Sequence, residues 1–342
     1  MNRILVIGPS WVGDMVMSQS LFKALKQNNP DCVIDVLAPA WSLPILARMP
    51  EVRKGIVMPT NHGELKIRQR YQLGKTLNGH YDQAIVLPNS LKSALLPFFA
   101  GIKLRTGWRG EMRYLLLNDL RALDEKLYPL MVERFVALAY PKNTPLPATL
   151  PRPQLITTAE NAQAVQQKYG LNKFLSKENR KTLVLCPGAE FGNAKQWPEE
   201  HYAAVANEKI NAGWQVWILG SRNDKTVTDK IYRLVDKTNQ KFCINLASRT
   251  ALVETIDIIA MADAVVTNDS GLMHIAAAVN TPLVVVYGST SPKFTPPLSD
   301  KVKIVQSDIS CAPCFKRTCR FGHRKCLTEQ KPQRVLASLD SL

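Results

Sequence analysis

The 342-residue sequence lacks any apolar run approaching the roughly 20 residues that a membrane-spanning helix needs. Its first residues form a strand-like segment and show neither the basic region nor the apolar core of a signal peptide. No repeat of solenoid period and no low-complexity tract is present. We therefore expect a cytoplasmic globular protein.

Acidic residues are scarce relative to basic ones, with 28 Asp and Glu against 44 Lys and Arg, and the formal net charge is +16. Such an excess predicts an anionic partner, and nucleic acid, an anionic membrane surface and a phosphorylated substrate all fit it. With 46% hydrophobic and 21% charged residues, the chain is typical of a globular protein and is long enough for two α/β domains.

Strand-like apolar segments alternate with amphipathic ones, which is the pattern of parallel sheets built from βαβ units. A proline-dense segment, 140–155, interrupts the series, which then restarts. We expect an α/β protein with two Rossmann-like domains facing each other across a cleft, over 1–155 and 181–330. A connection over 156–180 and a C-terminal helix over 331–342 complete the prediction. The predicted strands are 4–8, 33–38, 55–59, 82–88, 103–108, 181–188, 214–220, 262–269 and 282–288.

The stretch "GPSWVGDMVMSQ" follows the first predicted strand. It matches neither the G-x-G-x-x-G pattern of dinucleotide loops nor a P-loop ending in G-K-[ST]. Bulky Trp11 and Val12 occupy the place where a pyrophosphate needs close backbone approach, and Asp14 would repel phosphate. Asp14 has two interpretations, a helix N-terminal acid or a general base aimed into the cleft, and both can hold at once.

The stretch "TNDSGLMHIAAA" places a helix start directly after the strand that ends at Asn268. Free backbone amides at such a start bind anions, so Asp269, Ser270 and Gly271 suit a diphosphate, and Asn268 is a further candidate for contact with a donor. His274 lies one turn further on the same face and can add a donor. The alternative is an ordinary capped helix with a surface histidine.

The stretch "PGAEFGNAKQWP" also follows a predicted strand. Gly188 and Ala189 allow a ligand to approach the backbone, and Glu190 follows them. Lys195 provides a cation just before the next helix, where it could neutralise the charge that develops on a departing diphosphate. Taken alone, Lys195 would be interpreted as a solvated loop lysine.

Basic residues collect in the predicted N-terminal domain within "PNSLKS" and "LRTGWRGEMRY". Lys92, Arg105, Arg109 and Arg113 could hold carboxylates or phosphates of an acceptor at the mouth of the cleft. A basic solvated surface is the alternative for each residue taken singly.

Four cysteines crowd into "CAPCFKRTCRFGHRKC" with the spacing C-x2-C-x4-C-x6-C. They could wrap one structural zinc ion or form two disulfides. A catalytic metal is not expected there, because four thiolates leave no open coordination position. The residues concerned are Cys311, Cys314, Cys319 and Cys326.

Together, "GPSWVGDMVMSQ", "PNSLKSALLPFFAG", "RTGWRGEMRY", "CPGAEFGNAKQWP" and "TNDSGLMHIAAA" resemble the bacterial ADP-heptose:lipopolysaccharide heptosyltransferases, most closely those of type II. The resemblance spans nearly the whole chain and implies a GT-B fold, with the acceptor in the first domain and the nucleotide-sugar in the second. It implies that Asp14 is the general base and that Lys195 binds the donor. Its D-[ST]-G-x-x-H element falls on Asp269, Ser270, Gly271 and His274.

Two features depart from the family pattern. Where related heptosyltransferases place a nucleotide-contacting glutamate, two residues beyond Gly220, this chain has Arg222, and Asp224 is the nearest acid. The four-cysteine segment lies outside the pattern as well. We therefore take Asp224 as a candidate donor contact and carry no family role onto the cysteines.

The resemblance implies inverting transfer of L-glycero-D-manno-heptose from ADP-heptose to a heptose of the lipopolysaccharide inner core. Gly13, beside the general base, joins the predicted acceptor residues. We expect no required cofactor, a peripheral position on the cytoplasmic face of the inner membrane, and no binding of nucleic acid. Two alternatives stay open: another GT-B sugar-nucleotide enzyme, such as an epimerase or a different sugar transferase, and a nucleic-acid-binding protein.

Overall fold

The computed structural model describes residues 2–59, 63–171 and 180–342. It divides into two compact units, Met1–Ile156 and Thr157–Leu342. Within the described residues, no helix combines the length and the apolar character that crossing a bilayer requires.

The first unit is built on a six-stranded sheet in which every pairing is parallel, in the order β3-β2-β1-β4-β5-β6. Its strands are β1 (Arg3–Ile7), β2 (Val33–Ala38), β3 (Val52–Val57), β4 (Gln83–Val86), β5 (Leu104–Trp108) and β6 (Asp119–Arg121). Its helices are α1 (Val12–Asn28), α2 (Leu43–Leu46), α3 (Ile67–Thr76), α4 (Leu91–Phe99) and α5 (Met131–Val136), with 3-10 turns at Ala40–Ser42 and Ala137–Ala139.

The second unit repeats this architecture with a parallel sheet in the order β9-β8-β7-β10-β11-β12. Its strands are β7 (Thr182–Cys186), β8 (Gln215–Ile218), β9 (Cys243–Asn245), β10 (Ala264–Asn268), β11 (Leu283–Tyr287) and β12 (Val302–Gln306). Its helices are α6 (Ala159–Tyr169), α7 (Glu199–Asn211), α8 (Lys225–Leu234), α9 (Leu252–Ala260), α10 (Gly271–Ala278), α11 (Lys325–Thr328) and α12 (Pro332–Asp340), with 3-10 turns at Asn193–Lys195, Arg222–Asp224 and Gln240–Phe242.

Continuous apolar strands explain why both sheets are covered by helices. The central strands "RILVI" and "TLVLC" are buried along nearly their whole length, which is typical of parallel strands packed on both faces. The α/β prediction and the two Rossmann-like units are confirmed. The shared strand order reverses direction beside β1 in the first sheet and beside β7 in the second, and such switch points are where ligands bind in open α/β sheets.

The segment predicted as a connection, 156–180, includes α6, which packs on α9 in the second unit. Thr158 Oγ1 accepts a hydrogen bond from Asn161 N and so caps α6. At the other end of this helix, Glu254 of α9 accepts bonds from Lys168 Nζ at 2.5 Å and from Tyr169 OH at 2.7 Å. Residues 172–179 of the predicted connection lie outside the described residues.

Candidate active site

The loops after β7 and β10 meet at the switch point of the second sheet. Lys195, in the 3-10 turn Asn193–Lys195, donates from Nζ to Asp269 Oδ2 at 2.7 Å. The two side chains are 15% and 5% exposed, respectively, so the ion pair is mostly shielded from water. Lys195 and Asp269, predicted separately from two motifs, are thus brought together.

Asn268, the last residue of β10, is fully buried and holds the framework under this ion pair. Its Oδ1 accepts hydrogen bonds from Trp197 N at 3.1 Å and Tyr202 OH at 3.0 Å, and its Nδ2 donates to Pro187 O at 2.7 Å. The side chain therefore ties the loop after β7 to the end of β10. Direct contact between Asn268 and a donor stays a prediction.

The start of α10 has the features of an anion-binding helix end. Ser270, the N-cap residue, has extended backbone and makes no capping bond to the first turn, and its hydroxyl lies 3.3 Å from Thr267 Oγ1. The Ser270 hydroxyl therefore accepts no hydrogen bond from the first-turn amides, which begin with Gly271. These amides follow Asp269, the ion-pair partner of Lys195, in the chain.

His274 is buried one turn into α10 and is not the surface histidine of the alternative interpretation. The pKa of His274 is lowered to about 4, chiefly by burial; the Asp269 carboxylate acts to raise it, and the Lys195 ammonium acts to lower it. The imidazole is therefore neutral at physiological pH and can offer one N–H donor.

Gly188 and Asp224 also lie together. Asp224 Oδ2 accepts hydrogen bonds from Ser221 N at 2.8 Å and Ser221 Oγ at 2.7 Å, which closes the turn after β8. A Cβ at position 188 would lie 2.7 Å from Asp224 Oδ2, so only glycine fits there. Glu190, exposed nearby, accepts from Asn223 Nδ2 at 3.3 Å. Ala189 lies between Gly188 and Glu190 and is partly exposed.

The four-cysteine segment supports the Lys195 loop, a relation that the sequence did not predict. Arg317 O accepts a hydrogen bond from Ala194 N at 3.1 Å, and a Cβ at Gly192 would lie 2.3 Å from the same oxygen. Gly192 also has φ +150, which side chains rarely adopt. The Phe191 ring lies between two cations, 4.9 Å from Lys195 Nζ and 5.4 Å from the Arg317 guanidinium.

The four predicted cysteines line one small cavity of about 20 Å³, together with residues that include Ser289 and His323. All four are free thiols. Backbone N–H groups, that of Arg324 foremost, lower the pKa of Cys319, whereas burial and the other three thiols raise the pKa of Cys326 to about 11. Among the described residues, no group of three or more His, Cys, Asp or Glu is arranged to hold a metal ion. Zinc at these cysteines stays a prediction.

Sequence reasoning missed the loop after β11. Ser289 and Thr290 are 1% and 5% exposed, respectively, and within the described chain neither hydroxyl has a hydrogen-bond partner. They follow the strand next to β10, at the same edge as Asp269. The hydroxyl run "GSTS" directly after a buried strand was the available signal, and it makes these residues further candidates for contact with a donor.

In the first unit, Asp14 and Gly13 lie in the first turn of α1, after the switch-point strand β1. Both are partly buried. A first-turn carboxylate interacts favourably with the helix dipole, so the structural interpretation of Asp14 holds in this structure. Its role as a base stays a prediction.

Two of the four predicted acceptor cations hold the first unit together. Arg113 is 1% exposed and donates to Trp108 O at 2.5 Å, Pro88 O at 2.6 Å and Asn89 Oδ1 at 3.1 Å. Burial lowers its pKa to about 10. Pro88 and Asn89 lie in the loop after β4, and Trp108 is the last residue of β5, so Arg113 fixes the loop after β5 to the loop after β4.

Arg105 likewise binds main-chain oxygens, those of Ile102 at 2.5 Å and Leu116 at 2.7 Å. Burial lowers the pKa of Arg105. Arg109 is exposed, and Lys92, in the first turn of α4, is partly exposed. Contact of any of the four with an acceptor stays a prediction.

Comparison with known proteins agrees with this architecture. Residues 70–325 match the sequence profile of Glycosyltransferase family 9 (heptosyltransferase). The chain is 49% identical over 342 residues to lipopolysaccharide heptosyltransferase 2 of Escherichia coli, covering 99% of this chain and 98% of that one. It is 49% identical over 343 residues to lipooligosaccharide heptosyltransferase 2 of Haemophilus influenzae, covering 99% of each.

The solved structure of Escherichia coli ADP-heptose LPS heptosyltransferase II has the same fold. It superposes with a TM-score of 0.89 at 48% identity, covering 100% of this chain and 98% of that one. The predicted GT-B fold is thereby confirmed.

Proposed function

Because the chain belongs to glycosyltransferase family 9, the heptosyltransferases, we propose that it moves L-glycero-D-manno-heptose from ADP-heptose to a heptose of the lipopolysaccharide inner core, with inversion. The type II assignment agrees with the full-length identity to heptosyltransferase 2. Donor binding falls to the second unit and acceptor binding to the first.

Asp14 is the general base in this proposal. Its carboxylate takes the proton from the attacking hydroxyl as the anomeric carbon gains oxocarbenium character, and the bond to the ADP oxygen breaks. A place in the first turn of α1, after the switch-point strand, supports this role. The helix dipole stabilises the ionised form, which is the form a base requires.

Lys195 and the start of α10 stabilise the departing diphosphate. The Lys195 ammonium is held beside Asp269, and the first-turn amides of α10 add N–H donors at the same edge. Neutral His274 can donate one further hydrogen bond. Since these groups supply the positive potential that a magnesium ion would otherwise give, the proposed reaction requires no metal.

The four cysteines are the proposed place for a structural zinc ion, which this reaction does not use. The four residues are among those that line one cavity of about 20 Å³, which is room for one ion or one water molecule. The donor set is the one that zinc prefers in structural sites. All four cysteines are free thiols, which would be available to such an ion.

An anionic, lipid-anchored acceptor accounts for the basic character of the chain. Lys92 and Arg109 are the proposed cations for acceptor phosphates or carboxylates. The formal net charge of +16 supports peripheral binding at the cytoplasmic face of the inner membrane, where lipid headgroups are anionic. Nucleic acid is not a proposed partner, because the cations are spread over both units rather than gathered on one recognition element.

The Lys195–Asp269 ion pair beside the uncapped start of α10 carries the proposal, because a cation and a helix start without a side-chain cap are both features that favour a diphosphate. Incubation with ADP-heptose and a heptosylated inner-core acceptor should add one heptosyl unit, seen by mass spectrometry, with the inverted anomer seen by NMR. Faster transfer from another nucleotide-sugar, or epimerisation of the donor without transfer, would contradict the assignment.

A further inference from the structure

The loop between β5 and β6, residues 109–118, exposes three large apolar side chains. Met112 is 83% exposed, Tyr114 60% and Leu115 87%. Single exposed apolar residues are common on protein surfaces, but three of them within four positions of one loop form a cluster.

This loop is held in a fixed conformation. Arg113, which stands between Met112 and Tyr114 in the sequence, is buried. Its guanidinium donates hydrogen bonds to Pro88 O, Trp108 O and Asn89 Oδ1. A buried guanidinium is costly to desolvate, and hydrogen bonds to these oxygens offset that cost. The three apolar side chains are therefore exposed on a loop that the hydrogen bonds of Arg113 hold in place.

Two further contacts join the same loop to the start of α4. Glu111 N donates to Asn89 O at 3.1 Å, and Glu111 Oε2 accepts from Leu91 N at 2.6 Å. A Cβ at Gly110 would lie 2.2 Å from Asn89 O, so the approach of the two loops requires glycine there. The carboxylate of Glu111 is thus directed at a main-chain donor.

The charge around the cluster is positive. Residues 88–118 contain five Lys and Arg and a single acid, Glu111. Arg109 is exposed three residues before Met112, and Lys92 follows Leu91 in the adjoining turn. Apolar side chains bordered by cations are suited to the surface of an anionic bilayer. The apolar side chains enter the boundary between headgroups and acyl chains, and the cations contact lipid phosphates.

We propose that residues 109–116 form a membrane-docking loop, in which Met112, Tyr114 and Leu115 enter the surface of a bilayer rich in anionic phospholipid. The loop follows β5 at the carboxyl edge of the first sheet, the edge from which α1 and Asp14 also start. Docking there would bring this edge to the plane in which a lipid-anchored acceptor lies. This last consequence rests on the proposed function; the binding itself does not.

Vesicle cosedimentation of the full chain tests the proposal without any sugar substrate. The probes are vesicles of phosphatidylethanolamine with phosphatidylglycerol, and neutral vesicles of phosphatidylcholine. The test variant is Met112→Ser/Leu115→Ser, which changes exposed side chains only. The control is Leu234→Ser/Leu342→Ser, a matched change at residues of the second unit that are 41% and 42% exposed.

Wild type and control should bind anionic vesicles and prefer them over neutral ones, and the test variant should bind at least tenfold more weakly. All three proteins should transfer heptose at equal rates to an acceptor stripped of its acyl chains. Only the test variant should be slower on an acceptor embedded in vesicles.

Equal vesicle binding by wild type and test variant would overturn the proposal, as would failure of the wild type to bind. A wild-type dimer that the test variant converts to monomers, seen by sedimentation velocity, would assign the loop to a second copy of the chain and also overturn it. Absence of heptose transfer by every protein would contradict the proposed function and leave the vesicle result standing.

Discussion

Lys195 Nζ and Asp269 Oδ2 lie 2.7 Å apart, and this ion pair links the loop after β7 to the loop after β10. It fixes the ammonium at the switch point of the second sheet before a donor arrives. An ammonium has three donors, so the bond to Asp269 leaves others for a phosphate. Charge placed in advance stabilises a developing anion without the cost of reorganisation.

Replacing Lys195 by Met should lower kcat by about 10²–10³-fold, the effect of losing one preorganised donor to a developing anion. It should also destabilise the protein, because Asp269 would remain buried without its counter-ion. The double variant Lys195→Met/Asp269→Asn should recover the unfolding midpoint but not kcat. Steady-state kinetics and urea denaturation measure the two effects separately.

Lys237→Met, at an exposed lysine, is the matched control for this series and should change neither quantity. Recovery of kcat together with stability in the double variant would show that Lys195 acts only through the fold.

Asp14→Asn should lower kcat by about 10²–10⁴-fold, the usual contribution of a general base, while leaving the Kd for ADP-heptose close to wild type. Loss of a first-turn acid should cost only about 0.3–1 kcal/mol of stability. Glu160→Gln removes a first-turn acid from α6 and controls for this helix effect. A near-normal kcat for Asp14→Asn would leave Asp14 with its structural role alone.

His274 should make stability depend on pH. Burial lowers its pKa to about 4, against about 6.5 for an unperturbed histidine. As the pH falls from about 6.5 to 4, the unfolded chain binds a proton that the folded chain does not, so stability should fall by about 1.4 kcal/mol per pH unit. Denaturation midpoints across this window should show a shallower slope for His274→Gln than for wild type.

His80→Gln, a change at an exposed histidine, should keep the wild-type slope. Identical slopes for His274→Gln and wild type would assign the pH dependence to other groups.

Transfer should not depend on a divalent cation. Lys195 and the start of α10 supply the charge stabilisation in the proposed reaction. Dialysis against EDTA should therefore leave the initial rate of heptose transfer unchanged. A rate that falls on dialysis and returns with added magnesium would contradict the proposed mechanism.

Cys319 should be alkylated faster than the cysteines of the core. Backbone N–H groups lower the pKa of Cys319, whereas burial raises the pKa of Cys243 to about 12 and also raises that of Cys32. Because the thiolate is the nucleophile, iodoacetamide should modify Cys319 first, as followed by peptide mass spectrometry. Repeating the reaction with a zinc chelator tests for bound metal. If all four clustered cysteines resist alkylation without the chelator and react in its presence, a structural metal ion is bound there.

The central strands and the loops that follow them were predictable from the sequence, because buried parallel strands leave long apolar runs. The short edge strands β6, β9 and β12 were not predicted: "DLR" and "CIN" are three residues long, and "VKIVQ" has two exposed positions. Periodicity cannot identify a strand this short or this exposed.

Side-chain roles set by main-chain partners were harder to predict than the strands. Arg113 and Arg105 looked like surface cations, because nothing local in the sequence shows which carbonyl oxygens they bind. Asn268 looked like a ligand residue for the same reason, since Trp197 and Tyr202 approach it only in the folded unit.

The shared strand order has a consequence for biosynthesis. All strand pairings of the first sheet lie within residues 3–121, and all those of the second within 182–306. Each sheet can therefore close from one continuous stretch of nascent chain. At about 5–20 residues per second, the first unit emerges from the ribosome roughly ten seconds or more before the second is complete. During that interval the loops proposed to bind the acceptor, with the exposed Met112 and Leu115, can already be formed, while the loops proposed to bind the donor are not yet complete.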